Sequence, residues 1–238
     1  MDELTFLTRL HRPGLIVDIG AHDGLLTLPL ARLPGARVLA FEPLPQAHAR
    51  LARACAGLGN VTLRREALSD AAGTLELALP VLDGVPQEQW ASTVKSYAGF
   101  GSRIATQRVT VPAITLDSLG LAEVVALKLD AEGAEYEILR GARETLRRCR
   151  PVLTLELEER HREGATWAVP AFLDGLGYHT VFHLDGAWHP AAALDRPRMH
   201  RASPDPSVFG AASDCYVFNF FAWPSERDAE IRAGMTAA

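Results

Sequence analysis

VDIGAHDG, residues 17–24, joins an apolar run, LIVDIG (15–20), to a helical stretch over 24–33 carrying Leu25, Leu26, Leu28, Leu30 and Leu33. An apolar strand ending in an acid and a glycine, followed at once by a helix, is the opening unit of an open α/β sheet. Working outward, RVLAFEP (37–43) reads as a second strand stopped by Pro43, and 45–58 as a helix rich in Ala, Leu and Arg. NVTLRREAL (60–68) reads as a third strand, with TLELAL (74–79) as its hairpin partner across the turn at 69–73. VVALKLD (124–130) is a further buried strand, and 134–148 carries the helical period through Tyr136, Ile138, Leu139 and Leu146. PVLTLELE (151–158), HTVFHL (179–184, after a helix ending at Gly177) and the aromatic DCYVFNFFAW (214–223) complete the strands. Strands separated by helices predict a mostly parallel sheet with helices on both faces and a ligand at the strands' carboxyl ends. Residues 80–112 are too long for an ordinary connection and read as a lid or substrate loop within one domain spanning 1–238. A second irregular, Pro-rich stretch covers 186–213.

The 238 residues are 48% hydrophobic and 22% charged, enough to bury a sizeable core and too apolar for a disordered chain. A formal charge of −5 provides no overall positive field, so no nucleic-acid partner is expected. The basic group Arg143, Arg147, Arg148 and Arg150 reads as a solvated helix end. Cys55, Cys149 and Cys215 form no Cys-x-x-Cys pair, which fits a reducing compartment. With no signal-peptide pattern and no apolar run of the ~18 residues a span needs, a cytoplasmic protein without membrane contact is expected. Tyr216, Phe218 and Phe220 could be core or a homodimer edge.

Gly20 and Gly24 allow a ligand close to the backbone, and Asp18 at the strand end can meet a ligand ammonium. S-adenosylmethionine (SAM), with an amino-acid end, would use both features. Glu42 follows Gly20 by 22 residues, at the end of the second strand, where an acid can hold two ribose hydroxyls. Ala67 and Leu68 could frame an adenine. A dinucleotide fingerprint fails, because His22 and Leu25 stand where two of its glycines belong. Asp130 and Glu132 end a buried strand on the same crevice; such acids can accept a proton, hold an ammonium, bind a metal or cap the following helix. Glu156 would extend this acidic rim, or else lie at a solvated edge. No metal is expected, although a divalent ion on these acids is an alternative. The lone histidines His161 and His183 read as surface or core residues, and no G-x-S-x-G elbow supplies a nucleophile.

In order, VDIGAHDG, AFEPLPQAHARL, NVTLRREALSDAAGTLEL, VTVPAITLDSL, LKLDAEGAEYEILRGA, PVLTLELE and LGY resemble the FkbM family of SAM-dependent methyltransferases. The resemblance spans roughly 15–184, with DCYVFNFFAWP similar to the family's closing strand. It implies a class I methyltransferase fold of seven strands, the last antiparallel, and O-methylation of a small-molecule hydroxyl on a sugar, polyketide or other natural product, yielding S-adenosylhomocysteine (SAH). By position, Asp18, Gly20, Ala21, His22 and Gly24 would hold the methionine part, Glu42 and Pro43 the ribose, and Ala67 and Leu68 the adenine. Asp130 would face the methyl group and the acceptor, as base, with Glu132 or Glu156 assisting. The family often has Asn where His22 stands. Only about 14 residues precede the first strand, which throws acceptor recognition onto Trp90, Ser92, Thr93 and Lys95, with Tyr97 beside them. The competing readings are a SAM-binding module without catalysis and a methyltransferase acting on a macromolecule.

Overall fold

The computed structural model describes residues 1–95, 97, 104–200 and 215–236. Parts of the stretches 80–112 and 186–213, and Asp214, therefore lie outside the described residues. The strands are β1 (Gly14–Ile19), β2 (Ala36–Phe41), β3 (Val61–Arg64), β4 (Ala67–Leu68), β5 (Gly73–Leu82), β6 (Val85–Pro86), β7 (Ile104–Ile114), β8 (Val124–Leu129), β9 (Val152–Glu156), β10 (Tyr178–Leu184), β11 (Ala187–Pro190) and β12 (Asn219–Pro224). The α-helices are α1 (Glu3–Arg9), α2 (Thr27–Leu30), α3 (Pro45–Ala54), α4 (Glu135–Arg140), α5 (Arg143–Cys149), α6 (Ala165–Asp174), α7 (Arg196–Met199) and α8 (Asp228–Thr236).

The main sheet has the order β11-β10-β12-β9-β8-β1-β2-β3. β12 runs antiparallel to both its neighbours, whereas β1, β2, β3, β8 and β9 pair in parallel. This is the expected seven-stranded sheet with β11 added at one edge. Strands covered on both faces need apolar residues at successive positions, which is why they read as continuous runs. Val17, Ile19, Leu127 and Leu129 pack with Ile138, Leu146, Val169 and Leu173 of α4, α5 and α6. Ile16, Val38 and Ala126 pack on the opposite face with Phe6, Leu30, Leu51 and Ile231 of α1, α2, α3 and α8. β12 is internal and Phe220 is fully buried, so that residue belongs to the core. Among the described residues, no helix is long and apolar enough to cross a membrane.

Several local expectations are corrected. The helix over 24–33 contracts to α2, because Pro29 has no N–H to continue the ladder. The helix over 134–148 divides at Gly141, where a Cβ would stand 2.0 Å from the Ser69 carbonyl oxygen. NVTLRREAL is not one strand: β3 closes the main sheet, and β4 crosses to a second sheet of order β4-β7-β5-β6. TLELAL pairs with β7, from Gly73↔Ala113 to Leu82↔Ile104, and not with β3. The two ends of the stretch 80–112 are thus strand, residues 80–82 in β5 and 104–112 in β7, paired antiparallel. Its sequence hid this because β7 is mostly solvent-facing, with Thr106, Gln107 and Arg108 in succession breaking any apolar run or alternation.

The T-L-D element has a structural task. Asp117 Oδ1 accepts from the Thr145 N–H and hydroxyl, both at 2.7 Å, and Oδ2 from the Glu144 N–H at 2.9 Å. It thereby caps α5 from outside the helix. Asp117→Ala is expected to lower the unfolding free energy by about 1–2 kcal/mol in urea titration. An unchanged midpoint would show that the cap contributes nothing.

Candidate active site

β1 lies between β2 and β8, at the point where the strand order reverses. A cavity of about 350 Å³ opens there at the carboxyl ends of these strands. One wall comes from the second sheet through Ala67, Leu68, Leu75 and Leu77. Asp18, Gly20, Ala21, His22, Glu42, Pro43, Ala67, Leu68, Asp130, Glu132 and Thr93 all line it. Gly24 is not in the lining; it packs against Leu51 of α3.

At the first turn, Gly20 has φ +76°, and a Cβ there would lie 1.8 Å from the Asp130 carbonyl oxygen. Glycine is required for both reasons. His22 also adopts positive φ, 46°, a conformation Asn tolerates better than most residues. Its N–H donates to Glu42 Oε2 at 2.9 Å, and the Leu44 N–H donates to Oε1 at 2.9 Å. Glu42 is thus fixed in place, and burial pushes its carboxyl up to about 7 despite those two donors.

At the other end, sheet register sets Asp18 beside Lys128 and Lys128 beside Thr154. Lys128 Nζ donates to the carbonyls of Gly20 (2.7 Å) and Ile19 (3.2 Å), and lies 3.5 Å from Asp18 and 3.6 Å from Asp130. Burial opposes its charge, but Asp130, Asp18 and Glu3 outweigh burial and raise its pKa. Asp18 is fully buried, and its Oδ2 accepts from the Thr27 hydroxyl at 2.5 Å. Asp130, one-third exposed, presents its side chain to the cavity.

The other acceptor-side candidates separate. Ser92 is buried; its hydroxyl donates to the Glu132 carbonyl at 2.6 Å and accepts from the Val94 and Lys95 N–H groups, closing a turn. Lys95 pairs with Glu132, and burial lowers its ammonium to about 8. Trp90 does not line the cavity, and its carbonyl accepts from the Tyr97 hydroxyl. Glu156 lies behind the lining, and burial together with Asp130 and Glu158 holds its carboxyl up. Burial also works to raise Glu158, but Arg160, His161 and Tyr216 prevail and bring it down. Glu132, Glu156 and His161 each place a ligand atom within 4.8 Å of the others, a spacing a metal ion could use. The Lys95 ammonium already compensates Glu132 there.

Sequence reasoning missed four groups. Lys128 looked like one position in an apolar strand. Glu3 reaches the cavity from α1. Glu135 Oε1 accepts from the Ala131 and Gly133 N–H groups and closes the loop that carries Glu132. His161, read as an isolated histidine, is buried beside Glu132 and Glu158. Two of the four left a local signal: Lys128 as a charge inside an apolar strand, and Glu135 as an acid in the first turn of a helix after a glycine.

The strand order, the glycine turn at its reversal point and the acid ending β2 define a class I SAM-dependent methyltransferase fold. The family model for the methyltransferase FkbM domain matches residues 18–180, and the chain belongs to that family. It is 35% identical over 156 residues to the methyltransferase sdnD of Sordaria araneosa, covering 54% of this chain and 60% of that protein. It is 28% identical over 161 residues to the 2-O-methyltransferase NoeI of Sinorhizobium fredii, covering 63% of this chain and 66% of the relative. The matched region thus spans less than two thirds of each relative's length. The crystal structure of a methyltransferase FkbM from Methylobacillus flagellatus aligns with a TM-score of 0.53 at 14% identity, over 90% of this chain and 45% of that one.

The residues present fit SAM. Glu42, just past the end of β2, has both oxygens held by backbone donors and could accept from a diol, and Ala67 and Leu68 offer an apolar wall that a base could use. Buried Asp18 Oδ1 and Glu3 Oε1 lack hydrogen-bond partners at the opposite end, which suits a cationic group.

Proposed function

We propose that the chain is a SAM-dependent O-methyltransferase acting on a hydroxyl of a small molecule. The observation that carries this reading is the single cavity bounded by Glu42 at one end and Asp130 at the other. When bound, SAM supplies a methyl group on a positively charged sulfur. Glu42 would hold the ribose hydroxyls, and Ala67 and Leu68 would flank the adenine. Asp130 would accept the proton of the acceptor hydroxyl, which is a poor nucleophile until relieved of it. Lys128 holds the Asp130 side chain and the Gly20 turn in mutual register, so that acceptor and methyl group are aligned. Glu132 and Thr93 line the acceptor side, with Lys95 neutralising Glu132. The small-molecule acceptor is supported by the modest cavity, the net negative charge and the likeness to NoeI, a 2-O-methyltransferase. Incubating the protein with SAM and a panel of sugars and polyketides, and following SAH release with methyl-ether formation by mass spectrometry, tests it. Transfer to no hydroxyl in the panel, together with transfer to protein or RNA, would overturn it.

Glu42→Ala is expected to weaken SAM binding by about tenfold to a hundredfold, the loss of one or two charge-assisted hydrogen bonds. Burial pushes the Glu42 carboxyl up to about 7, and only its carboxylate accepts from both hydroxyls. Wild-type affinity should therefore rise with pH and be about tenfold weaker at pH 6 than at pH 8, a slope that Glu42→Ala largely removes. Equal affinity of the two proteins in calorimetry would remove Glu42 from the ribose.

A further inference from the structure

The methionine end of the cavity is short of positive charge. Lys128 is the only lysine or arginine in the described lining, and three carboxylates, Glu3, Asp18 and Asp130, crowd around it. Its ammonium is already committed to the carbonyls of Ile19 and Gly20 and lies between Asp18 and Asp130. The Gly20 carbonyl, in the turn at the cavity, thus already accepts from the protein's own lysine.

Glu3 is different. It opens α1, which packs over β9 beside Thr154, the register neighbour of Lys128, and its side chain reaches the cavity from above the sheet. Its Oε1 is shut off from solvent and has no hydrogen-bond partner, although the Thr154 hydroxyl lies close enough to favour its charge. A second buried carboxylate oxygen at the same end, Asp18 Oδ1, likewise has no hydrogen-bond partner. Burying a carboxylate oxygen without a hydrogen bond is costly, and burial pushes Glu3 up to about 6 even though Lys128 and Thr154 favour its charge. Asp18 Oδ1 at least has the Lys128 ammonium at 3.5 Å, whereas Glu3 Oε1 has no ion pair among the described residues, so it is the Glu3 oxygen that a further cation with N–H donors would satisfy.

We infer that Glu3 is a cofactor-binding residue that receives the α-ammonium group of SAM and of SAH. The inference rests on the cofactor reading above and deepens it. It also divides the work of the acids at this end: Glu3 takes the ammonium, and Asp130 stays free for the acceptor.

The test is a binding cycle by calorimetry. SAH and its des-amino analogue, which keeps the carboxylate and the adenosine but lacks the α-amino group, are titrated into wild type and Glu3→Gln. The ammonium contact predicts that SAH weakens by about tenfold or more in the variant, whereas the des-amino analogue changes by less than about twofold. Unchanged SAH affinity overturns the contact, and so does an equal loss for both ligands, because Glu3 would then merely shape the pocket. If Glu3→Gln fails to fold, Glu3→Asp, which keeps the charge on a shorter arm, carries the same comparison. Failure of wild type to bind SAH or SAM at all would instead overturn the cofactor reading, an outcome distinct from the variant results.

Discussion

Asp130→Asn is expected to lower kcat by about 10²–10⁴-fold, the range one positioned proton acceptor contributes, while SAM affinity shifts by no more than a few-fold. The acid ends β8, lines the cavity and keeps one-third of its side chain exposed, so an acceptor can reach it. Asparagine keeps the shape and can still accept from Lys128, which isolates the lost basicity. The neighbouring acids are poorly placed to replace it: Glu132 is paired with Lys95, and Glu156 sits behind the lining with its carboxyl held up. Steady-state kinetics with a turned-over acceptor, alongside SAH calorimetry, reads both quantities. Loss of SAH binding with turnover per bound cofactor intact would make Asp130 a cofactor ligand and not the base.

Gly20→Ala is the second large effect. The added Cβ would stand 1.8 Å from a backbone oxygen, at a φ of +76° that alanine resists. Backbone cannot swing aside as a side chain can, so β1 and β8 must separate exactly where Lys128 bridges them. We expect SAM binding to weaken more than about a hundredfold and unfolding free energy to fall by about 3 kcal/mol or more. Gly59→Ala is the control, since nothing lies within 4 Å of a Cβ there and its φ is ordinary. A Gly20→Ala protein that binds SAH and unfolds like wild type would contradict the geometry of the turn.

The legible parts of the fold were those whose burial leaves a periodic or continuous pattern. β1, β2, β8 and β9 are covered on both faces and read as apolar runs. Of the second sheet only TLELAL of β5 was legible, without its partner: β7 is mostly exposed over Ile104–Ile114, and β4 is two residues whose partner lies far along the chain. Likewise Gly20, Glu42 and Asp130 stand at strand ends, where position alone implies a task. Glu3 and His161 acquire theirs only when helix and loop packing bring them to the β8–β9 edge. Gly141 and Asp117 look like ordinary members of a motif until Ser69 and α5 are seen against them.

Titration of the wild-type protein with SAM and with SAH by calorimetry tests the central claim most directly. Saturable one-to-one binding of both, stronger at pH 8 than at pH 6, is the predicted result. No heat from either ligand at any pH in that range would contradict the assignment of the cavity to SAM.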